Sequence, residues 1–400
     1  MKIKALIILL VCTCCVRSKQ HTTGDTGNDE SFVKDGVVHY TIKDNRIEVD
    51  LNNPQKASLF DYFTHIELIP LETNDDVLID GRRGPTFTFY NNRYYYADTP
   101  IGSNCVVYVF DEAGNFIFKL DKTGQGPGEW QRFDKMVINP ITENLELLNG
   151  FGLLFIYDLQ GNHVKTIKVT DSDLLAVHDL VAINEKTYVF ISYFHQPYKI
   201  IYYDLENMKI LHNEYEEERF ENHFGGNPFS HYNEQWYFHR VFNNEVYKLG
   251  SDSLIKAYSI EFKNYINNIK SIDYDALRQR MREPEGRYAL RDAANNFYGL
   301  YYLHQNNMYV LVQIRKGEEF YNLMYDKSKQ KGKFIENFDE SVIFTPVIVN
   351  NEYVLAMCNH GELDQYINEE MLDESNRQKL RTLKNAQEEQ NPIILKYYFK

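Results

Sequence analysis

The sequence has few cysteines and no long run of basic residues. Five cysteines occur in 400 residues, and three of them lie before residue 16, so only Cys105 and Cys358 remain for the rest of the chain. Two cysteines cannot form a cluster of metal-binding thiolates, and we expect buried free thiols, although an oxidising compartment would also allow a disulfide. The 57 acidic and 43 basic residues give a net charge of −14, which disfavours nucleic acid as a partner because phosphate binding needs a basic face.

The sequence also lacks the short motifs that mark common catalytic sites. It contains no Gly-x-Ser-x-Gly elbow, no His-Glu-x-x-His helix and no nucleotide-binding fingerprint. A metal site needs three or four convergent ligands, and the histidines show no such fixed spacing. We therefore expect no cofactor and no metal, and we assign no catalytic residue from the sequence.

The N-terminus has the pattern of a targeting segment. Met1–Lys4 supplies two lysines, and Ala5–Val11 is an apolar run that is too short to span a bilayer. A charged start, a short apolar run and small residues together predict a secretory signal over residues 1–15. Cysteines directly after the apolar run are typical of a bacterial lipoprotein signal, whose lipidated residue would be Cys15 or Cys14; an ordinary secretory signal is the alternative.

The rest of the chain divides into a polar segment and one large domain. Residues 16–34 are polar and lack periodicity, which predicts a flexible tether. The chain is rich in aromatic residues, with 31 Tyr and 25 Phe, and aromatic side chains favour half-buried sheet surfaces. Residues 35–400 are therefore predicted to form a single all-β domain, which at this length need not be divided further.

A phrase of strand, polar turn and strand returns at nearly constant spacing. Its clearest copies occupy Val106–Leu120, Leu153–Val169 and Lys199–Leu211. Within these copies Asp111, Asp158 and Asp204 each close a strand, and they are 47 and 46 residues apart. A period of this size, with alternating apolar strands, is typical of the blades of a β-propeller.

The spacing predicts six four-stranded blades. If the strand that ends at Asp111 is the third of its blade, the equivalent strands end near Asp158, Asp204, Gly250, Asp326 and Phe399. The last two steps, of 76 and 73 residues, are longer than the others. Each contains a helical insertion, about 265–292 and about 362–390, in which apolar residues recur at helical spacing.

The two ends of the domain predict how the ring closes. The chain ends on an apolar strand with no outer strand after it, and His65–Glu72 is an outer strand with no blade before it. Pairing of these two strands would complete one blade and remove the exposed sheet edges. The alternative is seven blades, in which Val37–Val49 would form part of another unit.

Four segments of the sequence match a known family. They are Ile66–Thr73, Phe110–Trp130, Tyr157–Ile167 and the closing residues 391–400. Through these segments the chain, from about Phe60 onward, resembles the six-bladed β-propeller lipoproteins of Gram-negative gut commensals, distant relatives of NHL and TolB-type propellers. The resemblance implies the fold and a place in the cell envelope, and it implies no catalytic residues. Lipoproteins of the cell surface often carry acidic residues after the lipidated cysteine, whereas Val16–Gln20 is basic and neutral, so the periplasmic face is an alternative to surface display.

Two predicted connectors between blades contain candidate ligand-binding residues. Gly124–Trp130 leads from an outer strand to an inner strand, and its glycines would let Gln125 and Glu129 face the mouth of the central channel. Arg82 and Arg83 occupy the equivalent connector before the first full blade and could bind a carboxylate or sulfate. The alternatives are a connector that needs only its turn chemistry, and an arginine pair that faces acidic neighbours at the surface.

Two further segments contain candidate ligand-binding residues. The first lies where histidines cluster and contains Trp236, His239 and Arg240. Trp236 could stack on a sugar ring, and packing in the core is the alternative. The second segment leaves the first predicted helix and contains Arg287, Tyr288 and Arg291. These side chains would reach the channel if the insertion covers one end of the propeller, and a helix with solvated charges is the alternative.

These observations favour a non-enzymatic binding protein over an enzyme. The leading hypothesis is a monomeric propeller that a lipid anchors to the outer membrane. It would bind a glycan, a peptide or a partner protein of the cell envelope. The competing hypothesis is a lyase or hydrolase that acts on carbohydrate or an ester, which rests on analogy between propeller folds alone. A third hypothesis is a scaffold that uses the helical insertions as docking surfaces.

Overall fold

The computed structural model describes residues 31–34, 37–79, 86–99, 105–169, 177–192, 198–216, 218–221, 224 and 226–400. The predicted signal peptide, with Cys14 and Cys15, lies outside the described residues, and so do Arg82 and Arg83. The described residues form an all-β structure with four short α-helices.

The described part of the chain begins with five strands that do not form a blade of their own. They are β1 (Ser31–Lys34), β2 (Val37–Tyr40), β3 (Arg46–Val49), β4 (Gln55–Ala57) and β5 (Phe63–Pro70). Strands β1 and β2 pair with each other as an antiparallel hairpin. The last four residues of the segment that we predicted as a tether, Ser31–Lys34, therefore lie in a strand.

Six antiparallel blades follow, and each has its first strand innermost. Blade 1 contains β6 (Thr86–Tyr90), β7 (Arg93–Asp98), β8 (Val106–Asp111) and β9 (Phe116–Leu120). Blade 2 contains β10 (Lys135–Asn139), β11 (Asn144–Asn149), β12 (Leu153–Tyr157) and β13 (His163–Lys168). Blade 3 contains β14 (Val177–Ala182), β15 (Thr187–Ser192), β16 (Tyr198–Asp204) and β17 (Lys209–Glu216).

The second half of the ring repeats the same order. Blade 4 contains β18 (Phe229–Tyr232), β19 (Gln235–His239), β20 (Glu245–Leu249) and β21 (Leu254–Phe262). Blade 5 contains β22 (Gly299–Gln305), β23 (Tyr309–Lys316), β24 (Glu319–Asp326) and β25 (Lys331–Phe338). Blade 6 contains β26 (Ile348–Val349), β27 (Tyr353–Cys358), β28 (Ile393–Phe399) and, as its outer strand, β5.

The six-bladed propeller is confirmed, and so is the way in which its ring closes. The strands that end at or beside Asp111, Asp158, Asp204, Gly250, Asp326 and Phe399 are the third strands of the six blades. Strand β5 pairs antiparallel with β28 over most of its length, so the N-terminal part of the domain completes the blade that the C-terminus leaves unfinished. This pairing fastens both ends of the domain into one sheet and leaves neither β5 nor β28 alone.

The alternative of seven blades is wrong, because the residues that it needed, Val37–Val49, form part of a hairpin and of the edge of blade 4. Strand β3 joins the outer edge of blade 4 by parallel pairing with β21. Strand β4 joins the outer edge of blade 5 in the same way, by pairing with β25. Val37–Val49 therefore contributes one strand of the hairpin, β2, and the fifth strand of blade 4, β3. With β4 on blade 5, the outer edges of two blades are covered by an added strand.

Aspartates at the repeat positions cap the turn between the third and fourth strands. The carboxylate of Asp158 accepts hydrogen bonds from the backbone N–H groups of Gln160 and Asn162, at 2.9 and 2.8 Å. Asp111, Asp204 and Asp326 accept equivalent bonds. Slight burial would raise the pKa of the Asp158 carboxyl, but the hydrogen bonds from Asn162 and the turn backbone outweigh it and lower the pKa. The repeated aspartates that reveal the fold in the sequence thus stabilise the turn between the third and fourth strands.

Apolar clusters between neighbouring blades form the core. Between blades 1 and 2, Val107 and Val109 pack with Leu147 and with Trp130 of the connector. The indole N–H of Trp130 donates to the carbonyl of Cys105 at 2.9 Å, so the ring is buried with its polar atom satisfied. Each fully buried side chain of this size contributes about 1.5–3 kcal/mol, which fixes the blades against one another.

The two predicted helical insertions are present. The first contains α1 (Tyr274–Arg280) and α2 (Ala289–Ala294), and the second contains α3 (Leu363–Tyr366) and α4 (Glu374–Lys384). Asp273 and Asp373 begin α1 and α4 as caps, because their carboxylates accept backbone N–H groups of the first turn. Leu380 and Leu383 of α4 are buried in the cluster that also holds β5 and β28, so the second insertion supports the blade that closes the ring.

Candidate functional site

The two ends of the propeller differ in how their strands are connected. One end, the turn face, carries the turns between the first and second strands of each blade and, in blades 1 to 5, those between the third and fourth strands. The other end, the insertion face, carries the connections between second and third strands and those that lead to the next blade. The first insertion joins blades 4 and 5, and the second joins β27 to β28, so both lie on the insertion face.

A cavity of about 130 Å³ lies on the insertion face, between α2 and blade 5. We call it the α2 cavity. Its lining combines aromatic rings, two arginines and small or amide side chains from the first insertion and the strands beside it. The lining residues are Phe224, Phe242, Arg291, Ala294, Asn295, Phe297, Tyr301, Arg315 and Gly317.

Helix α2 is held over the cavity by its apolar side. Leu290 and Ala294 are buried in a cluster with Phe220, Val241 and Phe242. Phe220 precedes β18, whereas Val241 and Phe242 follow β19. The aromatic rings of this cluster contact one another, with 5.2 Å between the centroids of Phe224 and Phe242. One wall of the cavity is therefore a group of packed aromatic rings, and the helix packs against it.

Arg315 is oriented by three neighbours at the end of β23. Its Nε donates to the carbonyl of Gly317 at 2.6 Å, and its guanidinium carbon lies 5.8 Å from the ring centroid of Tyr301 and 5.0 Å from that of Phe320. The carboxylate of Glu318 is 3.8 Å from its Nη2. Because the side chain of Glu318 is 80% exposed, this ion pair is weak.

Arg291 belongs to α2 itself and lines the α2 cavity from that helix. Its guanidinium carbon lies 4.4 Å from the ring centroid of Tyr288, and that of Arg287 lies 5.1 Å from the same ring. The structure therefore brings together all three candidates of the first insertion, and of these only Arg291 lines the cavity. Arg287 and Tyr288 are exposed on the outside of the insertion.

Arg240 braces the loop that carries Phe224 into the cavity. The side chain is 1% exposed, and its Nη2 donates to the carbonyl oxygens of Glu221 and Phe224 at 3.2 and 3.3 Å. Glu221 in turn accepts the backbone N–H of Phe242 at 2.8 Å. Arg240 thus lies behind the lining, where it positions two aromatic residues and does not itself line the cavity.

The other two candidates of this segment are packed inside blade 4. His239 is 2% exposed; burial, with smaller contributions from Arg240 and His304, lowers its pKa to about 3. Trp236 is partly buried and contacts Phe229 and His231, with centroid distances of 6.5 and 4.7 Å. The structure therefore places Trp236 and His239 away from the α2 cavity.

The glycine-rich connector, Gly124–Trp130, is held by a hydrogen bond between its own residues. Glu129 accepts the backbone N–H of Gly126 at 2.8 Å, and Gln125 is exposed. Gly128 has a φ of +74°, and an added Cβ would lie 2.5 Å from the ring of His163, so only glycine fits there. These contacts are those of a connector, and none of its residues lines the α2 cavity.

The lining of the α2 cavity is poor in groups suited to proton transfer or nucleophilic attack. Its nine residues include no Asp, Glu, His, Ser, Thr, Cys or Lys, and the one such group among them is the phenol of Tyr301, whose pKa is raised by burial. Among the described residues, no group of three or more His, Cys, Asp or Glu side chains could hold a metal ion. The cavity offers cationic, aromatic and amide groups, which bind and orient a ligand.

A second, more open depression of about 590 Å³ lies at the outer edge of blade 4. Its charged residues neutralise one another, because Arg46 lies 3.0 Å from Glu48 and 3.8 Å from Glu261. Lys256 lies 2.5 Å from Glu245. The depression has no aromatic side chain in its lining, so it lacks the anchors that the α2 cavity has.

Sequence reasoning missed most of the lining. Arg315, Tyr301, Phe224, Phe242 and Phe297 come from segments up to 91 positions apart, and no local motif joins them. One signal was available: Arg315 follows the apolar run of β23, where a charged residue at the end of a buried strand needs a partner or a function.

The ring of six blades closed by β5 defines the class of protein as a six-bladed β-propeller. The chain belongs to the family described as a domain of unknown function, DUF4934, whose model matches residues 44–398. Among curated proteins, a comparison found no match to this chain.

Two solved structures from Bacteroides are similar to this chain. A proposed exported protein of Bacteroides fragilis NCTC 9343 has a TM-score of 0.66 and 14% identity, covering 89% of this chain and 99% of that chain. A member of the DUF4221 family from Bacteroides vulgatus ATCC 8482 has a TM-score of 0.46 and 11% identity, covering 84% of this chain and 98% of that chain. The first similarity shows a shared fold.

The described part of the chain has no helix of the length and hydrophobicity that a membrane crossing requires. Cys105 and Cys358 are buried and are not joined in a disulfide, which agrees with the expectation of buried thiols.

Proposed function

We propose that this protein is a non-enzymatic binding protein of the cell envelope that takes its ligand at the α2 cavity. The observation that carries the proposal is the lining itself, which has two arginines and four aromatic rings but no carboxylate, imidazole, thiol or amine, and whose one phenol, on Tyr301, has a pKa raised by burial. Binding sites typically combine apolar walls with a few placed polar groups, whereas hydrolysis or elimination needs a positioned proton donor or acceptor. Recognition is the function that this set of side chains supports best.

The proposal places the propeller on a lipid anchor at the outer membrane. The lysines, apolar run and cysteines of residues 1–15 support lipidation at Cys15 or Cys14, and the polar residues that follow support a tether. The similar Bacteroides fragilis protein is itself described as exported, which agrees with this location. The basic and neutral residues 16–20 favour the periplasmic side over surface display.

The size of the cavity limits what the protein holds there. Its volume of about 130 Å³ is small beside the roughly 300–1,000 Å³ of typical ligand pockets. That space admits one functional group or one residue of a larger molecule. The ligand is therefore a small molecule, or a peptide or glycan of which only one end enters the cavity.

A thermal-shift screen of residues 29–400 tests the binding function. The screen uses small carboxylic acids, peptides, envelope oligosaccharides and peptidoglycan fragments, and a ligand at 100 times its dissociation constant should add about 2.7 kcal/mol of stability. The matched variant is Ala294→Leu, which fills the cavity from α2. We expect a ligand that stabilises the wild type and leaves the variant's melting temperature unchanged.

Two results would contradict the binding function at this site. A ligand that stabilises the wild type and Ala294→Leu equally binds elsewhere on the propeller. Turnover of an oligosaccharide or ester by the wild type that Ala294→Leu retains would show an enzyme with another active site.

Labelling with a radioactive fatty acid tests the anchor. The full-length chain expressed in a Gram-negative host should incorporate label and fractionate with the outer membrane. Cys14→Ser and Cys15→Ser, made singly and together, identify the lipidated residue. An unlabelled wild type, or a labelled double variant, would contradict the anchor.

A further inference from the structure

We propose that the α2 cavity recognises a carboxylate joined to an apolar or aromatic group, with Arg291 and Arg315 holding the anion. This inference rests on the proposed function, because it takes the α2 cavity to be the binding site. It adds the chemical class of the ligand and the part that each wall plays.

The charge of the lining favours an anion. Arg291 has no carboxylate within 4 Å among the described residues, and its guanidinium contacts the ring of Tyr288. Among the same residues, Arg315 pairs with the exposed Glu318 at 3.8 Å, a pair that contributes little. In the part of the chain that the structure describes, two guanidiniums thus line one small cavity beside one weak counter-charge, so a bound anion would gain more there than a neutral molecule of the same shape.

The orientation of Arg315 suits a flat, two-oxygen acceptor. Its Nε is already engaged by the carbonyl of Gly317, and the rings of Tyr301 and Phe320 lie beside the guanidinium. These contacts fix the plane of the group and leave terminal N–H donors for a ligand. Carboxylates accept such paired N–H donors side by side, and the arrangement costs little entropy because the arginine is already ordered.

The remaining lining selects the rest of the ligand. Phe224, Phe242 and Phe297 offer ring faces and edges, and Ala294 leaves space beside them. Asn295 offers one amide that can donate or accept. A sugar needs many polar partners, and this wall provides few of them. A benzene ring or a branched side chain beside a carboxylate fits the volume and the polarity together.

Two sources share this chemistry: a free aromatic or branched acid, and the C-terminal residue of a peptide. Titration calorimetry in low salt, where charge interactions are screened least, separates them. Phenylacetate represents the free acid, and N-acetylphenylalanine represents the peptide terminus. Phenylacetamide and N-acetylphenylalanine amide are the neutral controls, because they keep the shape and lose the charge.

We expect both acids to bind and each amide to bind at least about tenfold more weakly, since hydrogen bonds to charged groups contribute about 1.5–3 kcal/mol. Arg315→Gln and Arg291→Gln should each weaken the acids by about the same factor. Arg287→Gln is the matched control, because Arg287 lies on the same insertion and outside the lining. The tighter of the two acids identifies the source.

Several outcomes would overturn the inference, and they differ from failure of the proposed function. Amides that bind as tightly as the acids would show that the cavity binds its ligand without using charge, which leaves the binding function intact. Acids whose binding survives both arginine substitutions would place the anion elsewhere. If no acid binds at millimolar concentration, the inference is wrong, and the thermal-shift comparison with Ala294→Leu decides separately whether the cavity binds anything.

Discussion

Blades 1 to 3 and blades 4 to 6 are built from the same antiparallel unit, but they differ in regularity. In the first half, equivalent strands are 47 and 46 residues apart, and no described strand is added to the outer edges β9, β13 and β17. In the second half, β3 and β4 add fifth strands, both helical insertions interrupt the repeat, and the outer strand of blade 6 comes from the N-terminal side.

The two halves do not differ in burying ionisable groups, since blades 2 and 3 bury Glu146, Asp179 and Lys199, and blades 4 and 5 bury His239, His304 and Lys327. They differ in that the α2 cavity lies in the irregular half, beside the first insertion. The regular spacing of equivalent strands therefore identifies the fold, and the departures from that spacing locate the candidate site.

The largest expected effect is loss of stability in weak acid, centred on blades 4 and 5. Burial lowers the pKa of His239 to about 3 and of His304 to about 4, against 6.5 when unfolded. Below pH 6.5 the two histidines are therefore protonated in the unfolded chain but still neutral in the folded chain, so the free energy of unfolding falls as the pH falls. The two histidines together should cost about 4 kcal/mol at pH 5 relative to pH 7.

The two tryptophans make this effect measurable in each half, since Trp130 lies between blades 1 and 2 and Trp236 lies in blade 4. Urea unfolding is followed by fluorescence in Trp236→Phe and Trp130→Phe, which report on one half each. We expect the Trp236 signal to lose stability at least as early as the Trp130 signal when the pH is lowered. In His239→Gln/His304→Gln the loss should shrink, and equal stability of the wild type at pH 5 and pH 7 would contradict this account.

The second effect runs in the opposite pH range and involves the turn of blade 5. Lys327 is 2% exposed, and burial lowers its pKa to about 7 from 10.5. Its ammonium has only neutral partners: the side-chain oxygen of Gln305, the carbonyl of Asn306 and the ring of Tyr232. Above pH 7 the unfolded chain keeps a proton that the folded chain has lost, so stability rises with pH, by up to about 1.4 kcal/mol per unit.

Urea unfolding between pH 7 and pH 9 checks this prediction below the range in which tyrosines ionise. Lys327→Met should flatten the rise, because the titrating group is gone. The neighbouring Lys329→Met is the control, since Lys329 is exposed and paired with Asp326 at 2.6 Å. A rise that persists unchanged in Lys327→Met would show that another group causes it.

A smaller effect is expected in the regular half, at a capped turn. Asp158→Ala removes the acceptor for two backbone N–H groups and should cost about 1 kcal/mol, as the loss of a comparable helix cap does. Asp158→Asn keeps an acceptor oxygen and should cost less. Urea unfolding at pH 7 measures both, and an equal cost for the two variants would mean that charge, and not the hydrogen bonds, stabilises the turn.

The smallest effect is expected at the glycine-rich connector. Gln125→Ala removes an exposed side chain for which no hydrogen bond is seen, so stability and ligand binding should stay within about 0.5 kcal/mol of the wild type. Gly128→Ala is the contrasting variant, because its φ of +74° and the ring of His163 exclude a Cβ. A Gln125→Ala variant that loses ligand binding would move the site to the regular half.

Much of the fold could be predicted from the sequence because blades are local units. Strand, turn and strand follow one another within each period, so Asp111 and Asp158 were enough to place the third strands. The closing pair of β5 and β28 was also predictable, since each end of the domain carried one unmatched strand. Strands β3 and β4 were not, because their place depends on which sheet edges the finished ring leaves available.

The candidate site was only partly predictable, for a related reason. Arg291 was found because the insertion breaks the repeat and carries a local cluster of charge and aromatic residues. Arg315 and Phe242 were not, since they meet Arg291 only after blades 4 and 5 have packed side by side. Arg240 was proposed as a ligand-binding residue, but the sequence does not distinguish an arginine that binds a ligand from one that braces a loop.

Hydrogen exchange with and without phenylacetate at pH 7 tests most directly the claim that the irregular half binds the ligand. The account predicts added protection in residues 289–297 and 315–320, which form and flank the α2 cavity, and none in blades 1 to 3. Protection within residues 86–216, or no change anywhere at a saturating concentration, would contradict it.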